Sequence, residues 1–194
     1  MALVSAASAR LRFVLCVVFA FVAALLFTTT TAFAQSDLEA PEARVKAAFL
    51  FKFGSYVEWP PGTFASSDAP FVIGVMDADA LASELTAIVA GHSMGGREVV
   101  VHRLHDGDST AGLHLVFVGK ADGANLAGIL APVKGHAILV VTESKGALDL
   151  GSMINFVLVD GKVRFDASLQ AAAAANLKIS SRLLAVARNV RGAP

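Results

Sequence analysis

Apolar residues along this chain follow two periods, and the switches between them divide it into elements. In "SDLEAPEARVKAAFLFKFGSYVEWPP", Val45, Ala48, Phe49, Phe53 and Tyr56 recur at three-and-four spacing, which predicts a helix with one buried stripe. Ser36 and Glu39 stand at capping-box spacing at its start, and Pro60 and Pro61 close it by removing donors and disfavouring helical geometry just upstream. Leu50, Phe51 and Val57 fall off the stripe. A helix apolar on more than one side is expected to lie between two layers or to offer a ridge to another chain.

Beyond the turn-rich "PPGTFASSDAP" the period shortens. "FVIGVM" is a continuous apolar run of the buried-strand type, and "DADALASELTAIVAG" is an amphipathic helix. "REVVVHRL" alternates as a strand, "LHLVFVG" is a second buried strand, "DGANLAGILAPV" a short helix and "AILVVT" a third buried strand. Strands alternating with helices predict an α/β fold, a single three-layer α/β/α sandwich on a mostly parallel sheet. In "MINFVLVDGKVRFDAS" two strands flank Asp160-Gly161, so an antiparallel hairpin is expected near the C-terminus. The remainder, "SLQAAAAANLKISSRLLAVARNVRG", reads as one helix capped by Ser168 and stopped at Gly192, with Ile179, Leu183, Val186 and Val190 as its stripe.

The N-terminus changes the picture of where this domain works. Arg10 and Arg12 precede an apolar run from Phe13 to Phe27, and Ala32 and Ala34 supply an A-x-A site. That is the pattern of a secretory signal peptide over residues 1–34, cleaved after Ala34, and the run is shorter than the roughly 20 residues of a membrane span. Residues 35–194 then form one domain outside the cytoplasm. The only cysteine, Cys16, leaves with the leader, so disulfides, thiol chemistry and Cys-based zinc sites are excluded. Loss of Arg10 and Arg12 turns the formal balance of +0 slightly acidic, and no basic face for nucleic acid is expected.

Candidate chemistry is sparse. "GHSMGG" carries G-x-S-x-G around Ser93, but a nucleophile elbow needs a strand entering the turn and a helix leaving it. Here a helix enters and a strand leaves. The triad partners on offer, Asp106, Asp108 or Asp122 with His136, also lack the right place, since His136 precedes a strand. His102 and His105, with His114 or Asp106, suggest a metal site, yet a spacing of three on a strand end puts the first two on opposite faces. Lys120 in "VGKADG" lacks the phosphate-loop frame. "VTESKGALDLGS" lies at the carboxyl edge of the sheet, where α/β folds bind ligands. Neither a catalytic residue nor a cofactor or metal ligand is assigned.

Three stretches, "VKAAFLFKFGSYVEWP", "GREVVVHRL" and "GSMINFVLVDGKVRFDASLQAAAAANLKISSRLLAVA", together resemble the periplasmic YfiR family over nearly all of residues 35–194. The most specific pieces are Val57-Glu58-Trp59-Pro60, Met153-Ile154-Asn155-Phe156 and Leu177-Lys178-Ile179-Ser180-Ser181. The resemblance implies a non-enzymatic periplasmic regulator, often dimeric, that binds the periplasmic region of an inner-membrane diguanylate cyclase and represses it. It also implies that a lipoprotein of the outer membrane can sequester the repressor, and that release raises cyclic di-GMP and favours biofilm. The alternative is a ligand-binding sensor domain acting on a membrane histidine kinase. Family members often carry disulfides, and residues 35–194 hold no cysteine, so redox control does not carry over. Asp166-Ala167-Ser168 replaces the acidic residue followed by asparagine common in relatives.

A binder needs desolvated anchors, and aromatic side chains dominate such positions. The only Trp and the only Tyr stand together in "SYVEWP", so Phe51, Tyr56 and Trp59 are the expected partner- or ligand-binding residues. Asn155 interrupts an apolar strand and either ties it to a loop or meets a small ligand; Arg164 on the facing strand is the candidate for an acidic group.

Overall fold

A computed structural model describes residues 32–121 and 123–192, with side chains from Pro41 onward. The basic and apolar parts of the expected signal peptide, Cys16 among them, lie outside the described residues, as does Asp122. The described residues from Ala40 onward form one compact unit. Among the described residues no helix is long and apolar enough to cross a membrane.

An eight-stranded sheet organises this unit. Its strands are β2 (Phe71–Met76), β3 (Ser93–Met94), β4 (Arg97–Leu104), β5 (Leu115–Val118), β6 (Leu139–Thr142), β7 (Ile154–Val159), β8 (Lys162–Ser168) and β10 (Asn189–Arg191), in the order β10-β8-β7-β6-β5-β2-β4-β3. The five strands from β4 to β7 run parallel, and the apolar runs of β2, β5 and β6 are buried on both faces, β5 and β6 at every residue, while β4 is largely open on its outer side. β8 turns back antiparallel on β7 through Asp160 and Gly161, whose φ angles of 50° and 69° are those of a primed hairpin turn. Outside this sheet, β1 (Val57–Glu58) pairs antiparallel with β9 (Lys178–Ile179).

Helices cover both faces, giving the expected three layers. The first, α1 (Ala32–Ser55), lays Phe53 against Phe156 and Phe165, with centroids 5.7 and 5.1 Å away. Gly54 lets its backbone approach Met94 and Phe71, since a Cβ there would fall 2.0 Å from the Met94 sulfur. Helix α2 (Asp79–Val89) packs against β2 and β4 through Leu81, Ala82, Leu85 and Val89. On the other face, α3 (Gly123–Leu130) and α4 (Leu169–Ala174) bring Leu130 and Ala171 around Val140 and Met153.

Three expectations are corrected. The helix of α1 already includes Ser36, so Ser36 is not its cap. It ends at Ser55 instead of Pro60, because Val57 and Glu58 are drawn into pairing with Ile179 and Lys178. Its buried stripe is Ala43, Lys46, Ala47, Leu50 and Phe53; Val45 faces outward at 44% exposure, and Tyr56, past the helix end, is 37% exposed. The buried face carries Lys46, whose charge is matched there by two carboxylates, Glu42 and Glu143.

The C-terminal segment is also not one helix. Ser168 does cap α4, its hydroxyl accepting the Ala171 N–H at 3.2 Å. The alanine run then stops at Asn176, which takes a left-handed φ of 56°. The N–H groups of Leu177 and Asn176 return to the carbonyls of Ala172 and Ala173, which closes the helix in a Schellman motif. After β9, Ser180 caps a single turn, α5 (Ser181–Leu184), and the chain leaves as β10, held by the paired Asp166 and Arg188 at 2.5 and 2.8 Å. Ile179 and Leu183 are buried, but Val186 is 62% exposed, so the predicted stripe does not exist. Gly192 follows a strand. Ser168→Ala is expected to cost about 1 kcal/mol, the usual worth of a lost N-cap, read as a lower urea midpoint at unchanged slope.

Candidate partner-binding face

The chain between α1 and β2 carries the candidate face. Immediately after β1, Trp59 sits edge-on to Phe71 at 5.1 Å and 83°, and to Phe64 at 6.4 Å. Phe64 in turn lies flat on His114, with centroids 4.4 Å apart and planes 11° from parallel. The Arg97 guanidinium covers Phe64, 3.9 Å from its centroid, and donates to the carbonyls of Ser66 and Ala69. The stack folds an otherwise polar loop onto the sheet, supplying a cation–π contact of about 0.5–1 kcal/mol at this exposure.

His114 is the buried member. Its Nδ1 accepts the Val72 N–H at 3.1 Å, which requires an unprotonated nitrogen there. Burial, and then the charge of Arg97, hold its pKa below the ordinary 6.5. Below that value the unfolded chain takes up a proton that the folded one refuses, so stability falls as pH drops through the unfolded pKa. Urea unfolding at pH 7.5 and 5.5 is expected to show a loss on acidification, and His114→Gln is expected to flatten it.

Trp59 also borders an open groove with Pro60, Pro61, Asn176, Leu177 and Lys178. Its ring is half-buried, and its Nε1–H is sealed from solvent without an acceptor. A sealed, unpartnered donor costs about 1–3 kcal/mol. Tyr56 is exposed beside it, and its carbonyl accepts the Ser180 N–H, tying the groove's two walls together. Phe51 is half-buried and meets His92 edge-on at 6.0 Å. Among the described residues no ring contact links Phe51, Tyr56 and Trp59: Phe51 lies in the last turns of α1, Tyr56 just past its end and Trp59 beyond β1.

Asn155 and Arg164 lie elsewhere. Asn155 is buried, and its Oδ1 accepts from the Thr142 hydroxyl at 2.7 Å and the Ser144 N–H at 3.1 Å. The Ser144 hydroxyl accepts the Ala121 N–H at 2.9 Å. The carboxyl-edge loops are therefore knitted to β7 by short polar side chains, with Asn155 as the tie. Arg164 is exposed on β8 and donates to the carbonyl of Val163. Sequence reasoning missed the His114 stack and the Lys46 pair; a histidine inside "GLHLVFV" and a lysine inside an apolar helix were the signals present.

Ser93 is explained by the same geometry. Gly91, with φ 72°, follows the end of α2, and Gly95-Gly96, with φ 58° and 80°, turn β3 onto β4. Ser93 is an exposed strand residue in that hairpin, opposite Glu98. His102 and His105 are exposed, and His105 lies 3.5 Å from Asp108. Among the described residues no group of three or more His, Cys, Asp or Glu is placed to hold a metal ion.

Compared with known proteins, the sequence profile of the family described as YfiR/HmsC-like matches residues 43–188, from the first buried turn of α1 to Arg188. No curated protein matches the chain.

Proposed function

The chain belongs to the YfiR/HmsC-like family, and on that premise we propose that residues 35–194, exported by a signal peptide over residues 1–34, act in the periplasm as a non-enzymatic regulator. It binds the periplasmic region of an inner-membrane diguanylate cyclase and holds its activity down, lowering cyclic di-GMP and biofilm formation. The family match, running through both walls of the Trp59 groove, is the observation that supports this reading. Trp59 adds to it: a half-buried indole with a sealed, unpartnered donor is a side chain whose environment is incomplete in the free protein.

The partner face comprises Tyr56, Trp59 and the groove rim at Lys178, with Phe51 on the next turns of α1. An outer-membrane lipoprotein is the expected competitor for it. Deleting the gene is expected to raise cyclic di-GMP, and restoring it with Trp59→Ala is expected to leave the level high while the purified variant stays folded. An anchor of this kind is worth about 2 kcal/mol or more of binding, a weakening of roughly thirtyfold. Unchanged cyclic di-GMP with an altered histidine-kinase output would transfer the domain to the sensor class. Co-purification of the membrane partner after crosslinking in intact cells identifies it directly.

A further inference from the structure

A strap, residues 60–70, joins β1 to β2 without forming helix or strand. Among the described residues the hydrogen bonds that tie it to the sheet come from two side chains. Arg97, at the start of β4, donates to the carbonyls of Ser66 and Ala69, and His114, one residue before β5, bonds to the backbone of Thr63. The same two side chains hold Phe64, the strap's one aromatic residue, at 3.9 and 4.4 Å from its ring centroid. His114 also meets the strap's exit, where its Nδ1 accepts the Val72 N–H. At the entrance Trp59 rests edge-on against Phe64. One imidazole therefore touches the middle and the end of a segment whose beginning lines the partner groove.

We propose that His114 is a proton-operated latch: its protonation frees the strap, takes Phe64 away from Trp59 and weakens the hold of the groove on its partner. The last step rests on the regulator reading; the first two do not. With Nδ1 as acceptor, the ring's second proton can go only there, and the Val72 N–H then faces a donor. The new charge shares the Phe64 ring with the Arg97 guanidinium, within about a Debye length, roughly 8 Å, of it. A loosened strap leaves Trp59 less preorganised, which costs affinity.

Nothing nearby offsets that charge. Strands β2 and β6 bring no charged residue to the ring. Asp68, on the strap, accepts from the Ser66 hydroxyl at 2.6 Å, and Asp108, on the loop leading into β5, accepts the His105 N–H at 2.8 Å. His136, the other titratable group, is exposed across an open cleft of about 430 Å³ that Thr63 and His114 also line. The cleft gives the proton a way in. Burial, and then Arg97, hold the latched ring's pKa below 6.5, against a smaller opposing effect of the Thr63 bond. In the open strap the ring returns to its ordinary value. The latched form is thus favoured above about pH 6.5, and the ratio of open to latched rises as pH falls, by up to about tenfold between pH 7.5 and 5.5.

Hydrogen exchange of the purified protein tests it at the Val72 amide. Scaled for its intrinsic rate, Val72 protection is expected to fall by up to about tenfold between pH 7.5 and 5.5. It is also expected to lie below that of Val75, in the middle of β2, at both pH values. Equal protection of the two amides means that the strap opens only with the whole domain, and overturns the latch. His114→Gln is expected to abolish the pH dependence and His136→Gln to keep it; the reverse overturns the proposal. Where His114→Gln does not fold, the unmodified protein decides. Trp59 is the only tryptophan, and its fluorescence change on acidification must share a midpoint with the NMR titration of the His114 ring. Different midpoints overturn the proposal. In cells, cyclic di-GMP is expected to rise on moving from pH 7.5 to 5.5 with the unmodified chain and to stay level with His114→Gln. Equal rises in both, where deletion of the gene still raises cyclic di-GMP, overturn the coupling to the groove. Deletion without effect removes the regulator reading and leaves the latch standing.

Discussion

Phe53→Ala is expected to destabilise the domain by about 3–5 kcal/mol, the range for emptying a buried aromatic position. Phe53 is wholly buried and is the hub of an aromatic cluster: Phe49 at 5.8 Å, Phe156 at 5.7 Å and Phe165 at 5.1 Å surround it. Three of these rings belong to different elements, α1, β7 and β8, so the cavity cannot close by shifting one side chain. It is flanked by Leu50 and Gly54 on the same helix, and Gly54 already touches Met94 and Phe71, which stops α1 from settling inward. For a domain of this size the loss corresponds to a fall in thermal midpoint of about 10 °C. Phe49→Ala, at a half-buried site of the same cluster, is expected to cost less than half as much. Urea unfolding of both variants checks the ranking. A Phe53→Ala loss below about 1 kcal/mol would mean that α1 is not pinned to the sheet by this cluster.

The strands of the sheet were legible because burial on both faces leaves no other way to write them: "FVIGVM", "LVFV" and "LVVT" are apolar at nearly every residue. The Asp160-Gly161 turn was legible for a similarly local reason, a pair that accepts positive φ. What could not be read depends on partners distant in sequence. Val57 and Glu58 look like the end of a helix until Ile179 and Lys178 are set beside them. "AAAAANLKISSRLL" is helical by propensity, and only Asn176 and Ser180 mark the two breaks. At the candidate face, the aromatic content of "SYVEWP" marks Trp59, but its packing on Phe71 and its sealed donor come from the fold. Asn155 interrupts an apolar strand, and only the fold brings it Thr142 and Ser144 to hold.

The same contrast between local pattern and distant partner makes Lys46 the second site of large effect. The side chain is buried on the inner face of α1 and bonds to Glu42, one turn earlier, and to Glu143 at the end of β6. Lys46→Ala leaves two shielded carboxylates facing each other with no cation between them. Breaking a buried pair costs about 3–5 kcal/mol, and the remaining solvent access of the two glutamates brings the expected loss to about 2–3 kcal/mol at neutral pH. In the native domain burial lowers the pKa of Lys46 and the bonds to Glu143 and Glu42 raise it, with a net rise above the ordinary 10.5. Its contribution is therefore complete below about pH 10.5 and is lost as pH rises through the folded value. The stability lost in Lys46→Ala is thus expected in full at neutral pH and to shrink only as pH rises through the folded value of Lys46. Combining Lys46→Met with Glu42→Gln and Glu143→Gln removes every charge at once, and should recover most of the loss, since an apolar replacement of a buried ionic group is often neutral. If that triple variant is as unstable as Lys46→Ala, the lysine acts through the packing of its stem, and the two carboxylates are bystanders.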